Sequence, residues 1–214
     1  MLPLAWLDAW VARRPFEGRT AWRYARDERP AFGDLDSRLL DRLRPELAEA
    51  RRFLDLGAGN HELSTRVAAA HPGLRVIAVE PSDSFTRRPR PGVSTLRAVA
   101  ERLPLADASI DVAICMSSIR HVRRRDTALR ELRRVVRPGG SAHIVELDPL
   151  ADSGRARRHR DALRSTLARL TFDPLLLRTC PTAGQMADLA RAAGWQDLTE
   201  EADPHQPVYL LRLR

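Results

Sequence analysis

Lysine is missing altogether from this 214-residue chain, so all 36 basic residues are arginine. Against 28 acids they give a formal net charge of +8. A charge of that size invites a polyanionic partner. The arginines are nevertheless spread along the chain, with local clusters at Arg87–Arg90, Arg123–Arg125 and Arg155–Arg160. Arginine without lysine, beside much Ala, Leu and Pro, is also what GC-rich coding produces. The reading is a solvated basic surface, not a nucleic-acid groove. The missing lysine excludes a GxxxxGK[ST] phosphate loop as well. Only two cysteines occur, Cys115 and Cys180. They make no disulfide framework, and with no CxxC, no HExxH and no His pair at helical spacing a zinc site is not expected. No apolar run approaches eighteen residues, so no segment reads as a transmembrane helix. The opening MLPLAWLDAW has no basic residues ahead of its apolar ones and Asp8 interrupts it, so it does not read as a secretion signal. A cytoplasmic protein is expected.

Hydrophobic residues make up 43% and charged residues 30% of the chain, enough for one packed domain. Aromatics are scarce at 5%, yet Trp6, Trp10, Trp22 and Tyr24 crowd into the first thirty residues. LAWLDAWVARR has helical spacing, and SRLLDRLRPELAEARR predicts a second helix broken or kinked near Pro45. From residue 52 short apolar runs alternate with amphipathic segments. RFLDL, LRVIAVE, STLRAVAE, IDVAICM and SAHIVEL read as strands. HELSTRVAAA, RDTALRELRRVV and PTAGQMADLARAAG read as helices, the last with Gly194 beyond its C-terminus. RARRHRDALRSTLARL is a further helical stretch, Arg137-Pro138-Gly139-Gly140 reads as a turn, and WQDLTEEAD and PVYLLRLR close the chain as a strand pair. The alternation predicts a doubly wound, Rossmann-like α/β fold with a seven-stranded, mostly parallel sheet and one antiparallel edge strand. Residues 1–50 are expected to form a helical lid and 51–214 the main domain.

Phe53-Leu54-Asp55-Leu56-Gly57-Ala58-Gly59-Asn60 is a strand, a glycine turn and the start of a helix. A ligand there sits at the carboxyl end of the first strand, the usual place in an open α/β sheet. A dinucleotide fingerprint fits poorly. Gly57 and Gly59 match GxGxxG, but Glu62 stands at the third glycine and brings a carboxylate toward a pyrophosphate. Asp55 suits a ligand with a positive end. Glu80, at the end of the second strand about twenty residues after the loop, suits ribose hydroxyls. A ribose, a cation and no phosphate together describe S-adenosylmethionine.

The ordered set Asp55-Leu-Gly57-Ala-Gly59, Glu80, Ala100-Glu101-Arg-Leu103-Pro104, Ile119-Arg-His121-Val, and Arg130-Glu131 through Pro138-Gly139-Gly140 resembles the class I S-adenosylmethionine-dependent methyltransferases. The likeness runs from about Arg52 to Pro149 and is nearest to the small-molecule branch that includes ubiquinone and menaquinone biosynthesis enzymes. The resemblance implies that Asp55, Leu56, Gly57, Ala58 and Gly59 line the methionine and ribose part of the cofactor. It implies that Glu80 holds the ribose, with Pro81 and Ser82 against the adenine. Ala100 and Glu101 would meet the adenine edge, and Met116 the sulfonium end. The chain departs from the family at Asn60-His61, where a small residue is usual, and at Val99, where an Asp is usual.

The expected activity is methyl transfer to a small molecule, without a metal. Arg120 and His121 follow the fourth strand, and Glu146 and Asp148 end the fifth, so these four are the candidates for acceptor binding and proton removal. Trp22, Arg23 and Tyr24 are the candidate lid residues. Two alternatives stay open: an RNA methyltransferase, suggested by the basic charge, and a regulatory protein that binds S-adenosylmethionine without turnover.

Overall fold

The computed structural model describes residues 17–23, 25, 26, 29–87 and 90–214. Its centre is one seven-stranded sheet: β1 (Arg52–Leu56), β2 (Arg75–Val79), β3 (Val93–Leu96), β4 (Ile110–Met116), β5 (Val136–Leu147), β6 (Leu198–Ala202) and β7 (Val208–Leu213). The spatial order is β3-β2-β1-β4-β5-β7-β6. β1 pairs in parallel with β2 and β4, and the parallel set continues through β3 and β5. β7 alone runs antiparallel, lying between β5 and β6. The antiparallel strand therefore sits one place in from the edge, and β6 takes the edge itself. The strand order reverses between β1 and β4, which opens a crevice at their carboxyl ends.

Helices cover both faces because the central strands alternate between two cores. Leu54, Leu56, Ala113 and Cys115 face α5 (Arg125–Val135) and α8 (Ala183–Ala192), which contribute Leu129, Leu132, Met186 and Ala190. Phe53, Val112 and Ile114 face α2 (Leu35–Glu49) and α3 (Glu62–Ala70), with Leu39, Leu43 and Val67 among the partners. Burial of such residues contributes about 25 cal/mol per Å² of apolar surface. Trp195 joins the first core and donates its indole N–H to the Leu129 carbonyl at 3.2 Å.

The remaining helices among the described residues are α1 (Gly18–Arg23), α4 (Asp83–Thr86), α6 (Ser153–Ala162) and α7 (Thr166–Thr171), with 3-10 turns at Arg29–Phe32 and Ile119–His121 and a π-helical turn at Phe172–Leu177. Two boundaries differ from the sequence reading. α2 runs unbroken through Pro45, its buried Leu35, Leu39, Leu43 and Leu47 forming one continuous stripe. Packing of that stripe outweighs the single backbone bond that proline forfeits. Arg137-Pro138-Gly139-Gly140 is no separate turn: β5 begins at Val136, directly after α5, and runs through these residues. The register against β4 shifts between Ile110 and Val112 to absorb them. Trp6 and Trp10 lie outside the described residues.

Candidate active site

β1 and β2 end side by side, with Leu56 paired to Val79. Past that pair the chain turns at Gly57, whose N–H donates to the Val79 carbonyl at 2.7 Å, as does that of Ala58 at 3.2 Å. The turn needs a left-handed backbone, and Gly57 supplies it at φ 73°. His61 adopts the same region at φ 63° just ahead of α3, a conformation few side chains tolerate. Its ring is fully buried and reaches Thr95 Oγ1 at 3.3 Å.

Two carboxylates flank the glycine turn. Asp55 is buried and accepts from Ser64 Oγ at 2.5 Å. Burial pushes its carboxyl up to about 6, against the pull of the Ser64 hydroxyl. Glu80 braces the loop itself, accepting from the Gly59 N–H at 2.8 Å and the Ser82 N–H at 2.9 Å. Burial raises its pKa too, opposed by those two backbone bonds.

These groups open onto a cavity lined by Asp55, Gly57, Ala58, Gly59, Asn60, Glu80, Leu63, Phe85, Met116 and Ser117. A second cavity adjoins it, lined by Leu56, Val79, Ala98, Val99, Ala100, Glu101 and Val122. Gly57, Pro81, Ser118 and His121 belong to both walls. Together they form a groove across the carboxyl ends of β1, β2 and β4, mostly apolar in both compartments. The loop bearing Ala100 and Glu101 is fastened from α5. Glu131 accepts from the Leu103 N–H at 2.8 Å, and Arg134 donates to the Leu103 and Leu105 carbonyls at 3.1 and 2.8 Å.

At the end of β4 the structure separates the four acceptor-side candidates. His121 reaches the shared wall. Arg120 does not: it is 4% exposed and its Nη1 pairs with Glu146 Oε1 at 3.1 Å. Glu146 is fully buried and also accepts the Arg120 and Leu147 backbone N–H groups. The expectation that Arg120 and Glu146 face an acceptor is corrected to a buried ion pair, with Tyr209 and Cys180 around it. Arg120 Nε also donates to His121 Nε2 at 3.0 Å, which fixes the imidazole and occupies that lone pair. Asp148 accepts from the Leu150 N–H at 2.9 Å in a turn and lines neither compartment. Burial drives both thiols upward, Cys180 to about 12, so neither is a thiolate nucleophile.

Before β1, the structure brings in two residues that no sequence motif marks. Glu17 accepts from the Asp83 and Ser84 N–H groups at 2.7 and 2.9 Å, tying the chain ahead of α1 to the start of α4. Arg29 lines the first compartment, as Asp55 does, while pairing with buried Asp36 at 2.5 Å. Trp22 is 58% exposed, stacks under the Arg26 guanidinium at 4.1 Å and lines neither compartment, nor does exposed Arg23. Tyr24 lies outside the described residues. Among the described residues no group of three or more His, Cys, Asp or Glu side chains could hold a metal.

Residues 54–144 match the family described as a methyltransferase domain. A ubiquinone/menaquinone biosynthesis C-methyltransferase of Syntrophotalea carbinolica is 34% identical over 131 residues, 58% of this chain and 55% of that protein. The chain thus spans about half the length of such curated relatives. A malonyl-[acyl-carrier protein] O-methyltransferase of Geobacter sulfurreducens is 27% identical over 184 residues, 72% of this chain and 69% of that protein. Through residues 54–144 the chain is thus similar to methyltransferases. A structure from Methanococcus maripaludis assigned to such enzymes superposes with a TM-score of 0.73 over 94% of each chain at 12% identity, which shows the shared fold. The methyltransferase signature around Arg130-Glu131 now has a physical role here, since Glu131 and Arg134 hold the wall of the second compartment. No described helix of this chain is long and apolar enough to cross a membrane.

Proposed function

We propose that the chain transfers the methyl group of S-adenosylmethionine to a small-molecule acceptor in the cytoplasm. The observation that carries this reading is the pair of buried carboxylates, Asp55 and Glu80, at the adjacent ends of β1 and β2 on either side of the Gly57–Gly59 turn. The groove fits the cofactor. A Cβ added at Gly59 would meet no atom within 4 Å, so open space lies where a ligand passes close to the backbone. Both compartments offer apolar walls beside a few aimed polar groups, the usual make-up of a small-molecule site.

Asp55 and Arg29 would hold the amino-acid end by opposite charges, and Glu80 the ribose hydroxyls. Pro81, Ala100, Glu101 and exposed Val99 would flank the adenine. Met116 and Ser117 face the transfer point at the end of β4. When bound, the cofactor supplies a methyl group on a sulfonium, already activated for in-line displacement. The protein's own task is to align an acceptor and exclude water. His121 walls the acceptor side, and its ring must leave Arg120 before Nε2 can take a proton. Of residues 1–50, the part ahead of α2 serves as a lid over the groove, a role supported by the anchoring of Glu17 on α4 and by Arg29 on the cavity wall, while α2 packs in the core.

Titration calorimetry with S-adenosylmethionine tests this reading. Glu80→Ala is expected to weaken binding at least about tenfold, since hydrogen bonds to a charged group contribute about 1.5–3 kcal/mol. Wild-type affinity in both Asp55→Ala and Glu80→Ala would overturn it.

A further inference from the structure

We propose that the α6–α7 hairpin is a docking face for an anionic lipid surface. Residues 155–178 hold seven arginines and two aspartates, a net +5 out of the whole chain's +8. Of these arginines, Arg155 and Arg160 pair with Asp152, Asp161 and Asp173. Arg157, Arg158, Arg164, Arg169 and Arg178 are exposed, and none of the described carboxylates pairs with them.

The same hairpin shows leucine to solvent. Leu167 and Leu170, three apart on α7, are 59% and 71% exposed, and Leu150 just before α6 is 78% exposed. Residues at that spacing share one helix side. Arginine beside outward leucine on a short helix is the composition that settles at a bilayer interface, the cations on the headgroups and the leucines among the upper acyl chains.

Shape favours a lipid surface over a protein partner. An apolar helix from another protein seats in a groove. Among the described residues, neither compartment of the active-site groove nor the cavity at the opposite sheet edge, around Pro45 and Gly140, is lined by residues 150–178. The face thus offers exposed cations and leucines without belonging to any of these cavities.

Its position connects it to the groove. His159 of α6 packs edge-on to Phe32 at 4.8 Å and stacks on Phe172 at 5.0 Å. The Arg29 guanidinium lies over the other end of that contact, 5.5 Å from the Phe32 ring centre, and lines the first compartment. The docking face and the groove thus share one packed contact through α6, and the docking does not depend on which acceptor is methylated.

Co-sedimentation of the full chain with phosphatidylcholine vesicles, with and without phosphatidylglycerol, tests the proposal. The chain is expected to pellet with the anionic vesicles alone, and less so as salt is raised. The triple variant Arg157→Gln, Arg158→Gln, Arg164→Gln should bind them on the order of a hundredfold more weakly. Leu167→Ser with Leu170→Ser should weaken binding on the order of tenfold. Both variants should keep the wild-type melting temperature and S-adenosylmethionine affinity, which separates loss of docking from loss of fold or of the cofactor site. Folded wild-type chain that ignores anionic vesicles would overturn the proposal. So would a triple variant that binds them as well as wild type, or a strongly acidic protein engaging these arginines while vesicles fail to bind.

Discussion

The Ser118 hydroxyl oxygen stands 1.8 Å from the point a Cβ on Gly57 would occupy. The end of β4 therefore closes over the turn after β1 so tightly that only glycine fits between them. Gly59, two residues on, is left-handed as well at φ 52°, but a Cβ there would meet nothing within 4 Å. Gly57→Ala is expected to destabilise the fold by about 2–4 kcal/mol, combining backbone strain with overpacking. Gly59→Ala should cost only about 1–2 kcal/mol, the strain alone. Urea unfolding of the two variants checks the difference, and equal losses would count against the crowding at Ser118.

Asp55 makes stability depend on pH in a direction unusual for a carboxylate. Its unfolded value is near 3.8 and its folded value about 6. Between them the unfolded chain has already released a proton that the folded protein keeps. The residue's contribution therefore falls as pH rises through that window, by about 3 kcal/mol, and is level above it. Asp55→Asn should remove the decline, visible as a flatter profile of unfolding free energy between those values. Binding of a cationic ligand favours the ionised carboxylate, so S-adenosylmethionine affinity should rise across the same range in the wild type and not in the variant.

The Arg120–Glu146 pair predicts a stability effect, not a catalytic one. Removing one member leaves a buried charge alone, which costs about 3–5 kcal/mol. Glu146→Leu and Arg120→Met should each lower the denaturation midpoint, while the double variant Arg120→Met, Glu146→Leu recovers much of the loss. A double-mutant cycle by urea unfolding measures this, and additive losses would contradict the pairing.

Ser117 holds a left-handed backbone at φ 49° without being glycine. Its hydroxyl is buried, has no hydrogen-bond partner among the described residues, and belongs to the cavity wall. Strain and an unsatisfied hydroxyl at one cavity position suggest a group kept for what binds there. Ser117→Gly should raise stability by about 1 kcal/mol, read by scanning calorimetry. It should also lower methyl transfer at least about tenfold once an acceptor is in hand, a gain in one property against the other. Higher stability with undiminished turnover would show that the hydroxyl has no part in the reaction.

The carboxyl edge of β1 and β2 was legible in the sequence because its determinants are local. Asp55, Gly57, Gly59 and Glu80 lie at fixed steps from two apolar strands, and periodicity alone aligns those strands. The position of β7 was less so, since PVYLLRLR reads as a strand wherever it pairs. Arg29 carried no signal at all: it stands in an irregular turn far from the glycine loop, and only its pairing with Asp36 and the packing of Phe32 bring it to the cavity. Arg120 and Glu146 misled for a related reason. Their places after β4 and β5 put them at the right edge of the sheet, but the sequence does not show that an inward rotation lets each satisfy the other.

The order of the strands in space departs from their order along the chain at β6 as well as at the reversal between β1 and β4. β6 is made before β7, yet it touches the sheet only through β7. During synthesis β5 keeps a bare edge, and β6 has nothing to join, until the last strand has emerged and slid between them. Closure of the sheet is then a late, long-range event, and for that interval the unpaired edge of β5 is the stretch of this protein most in need of protection from other chains.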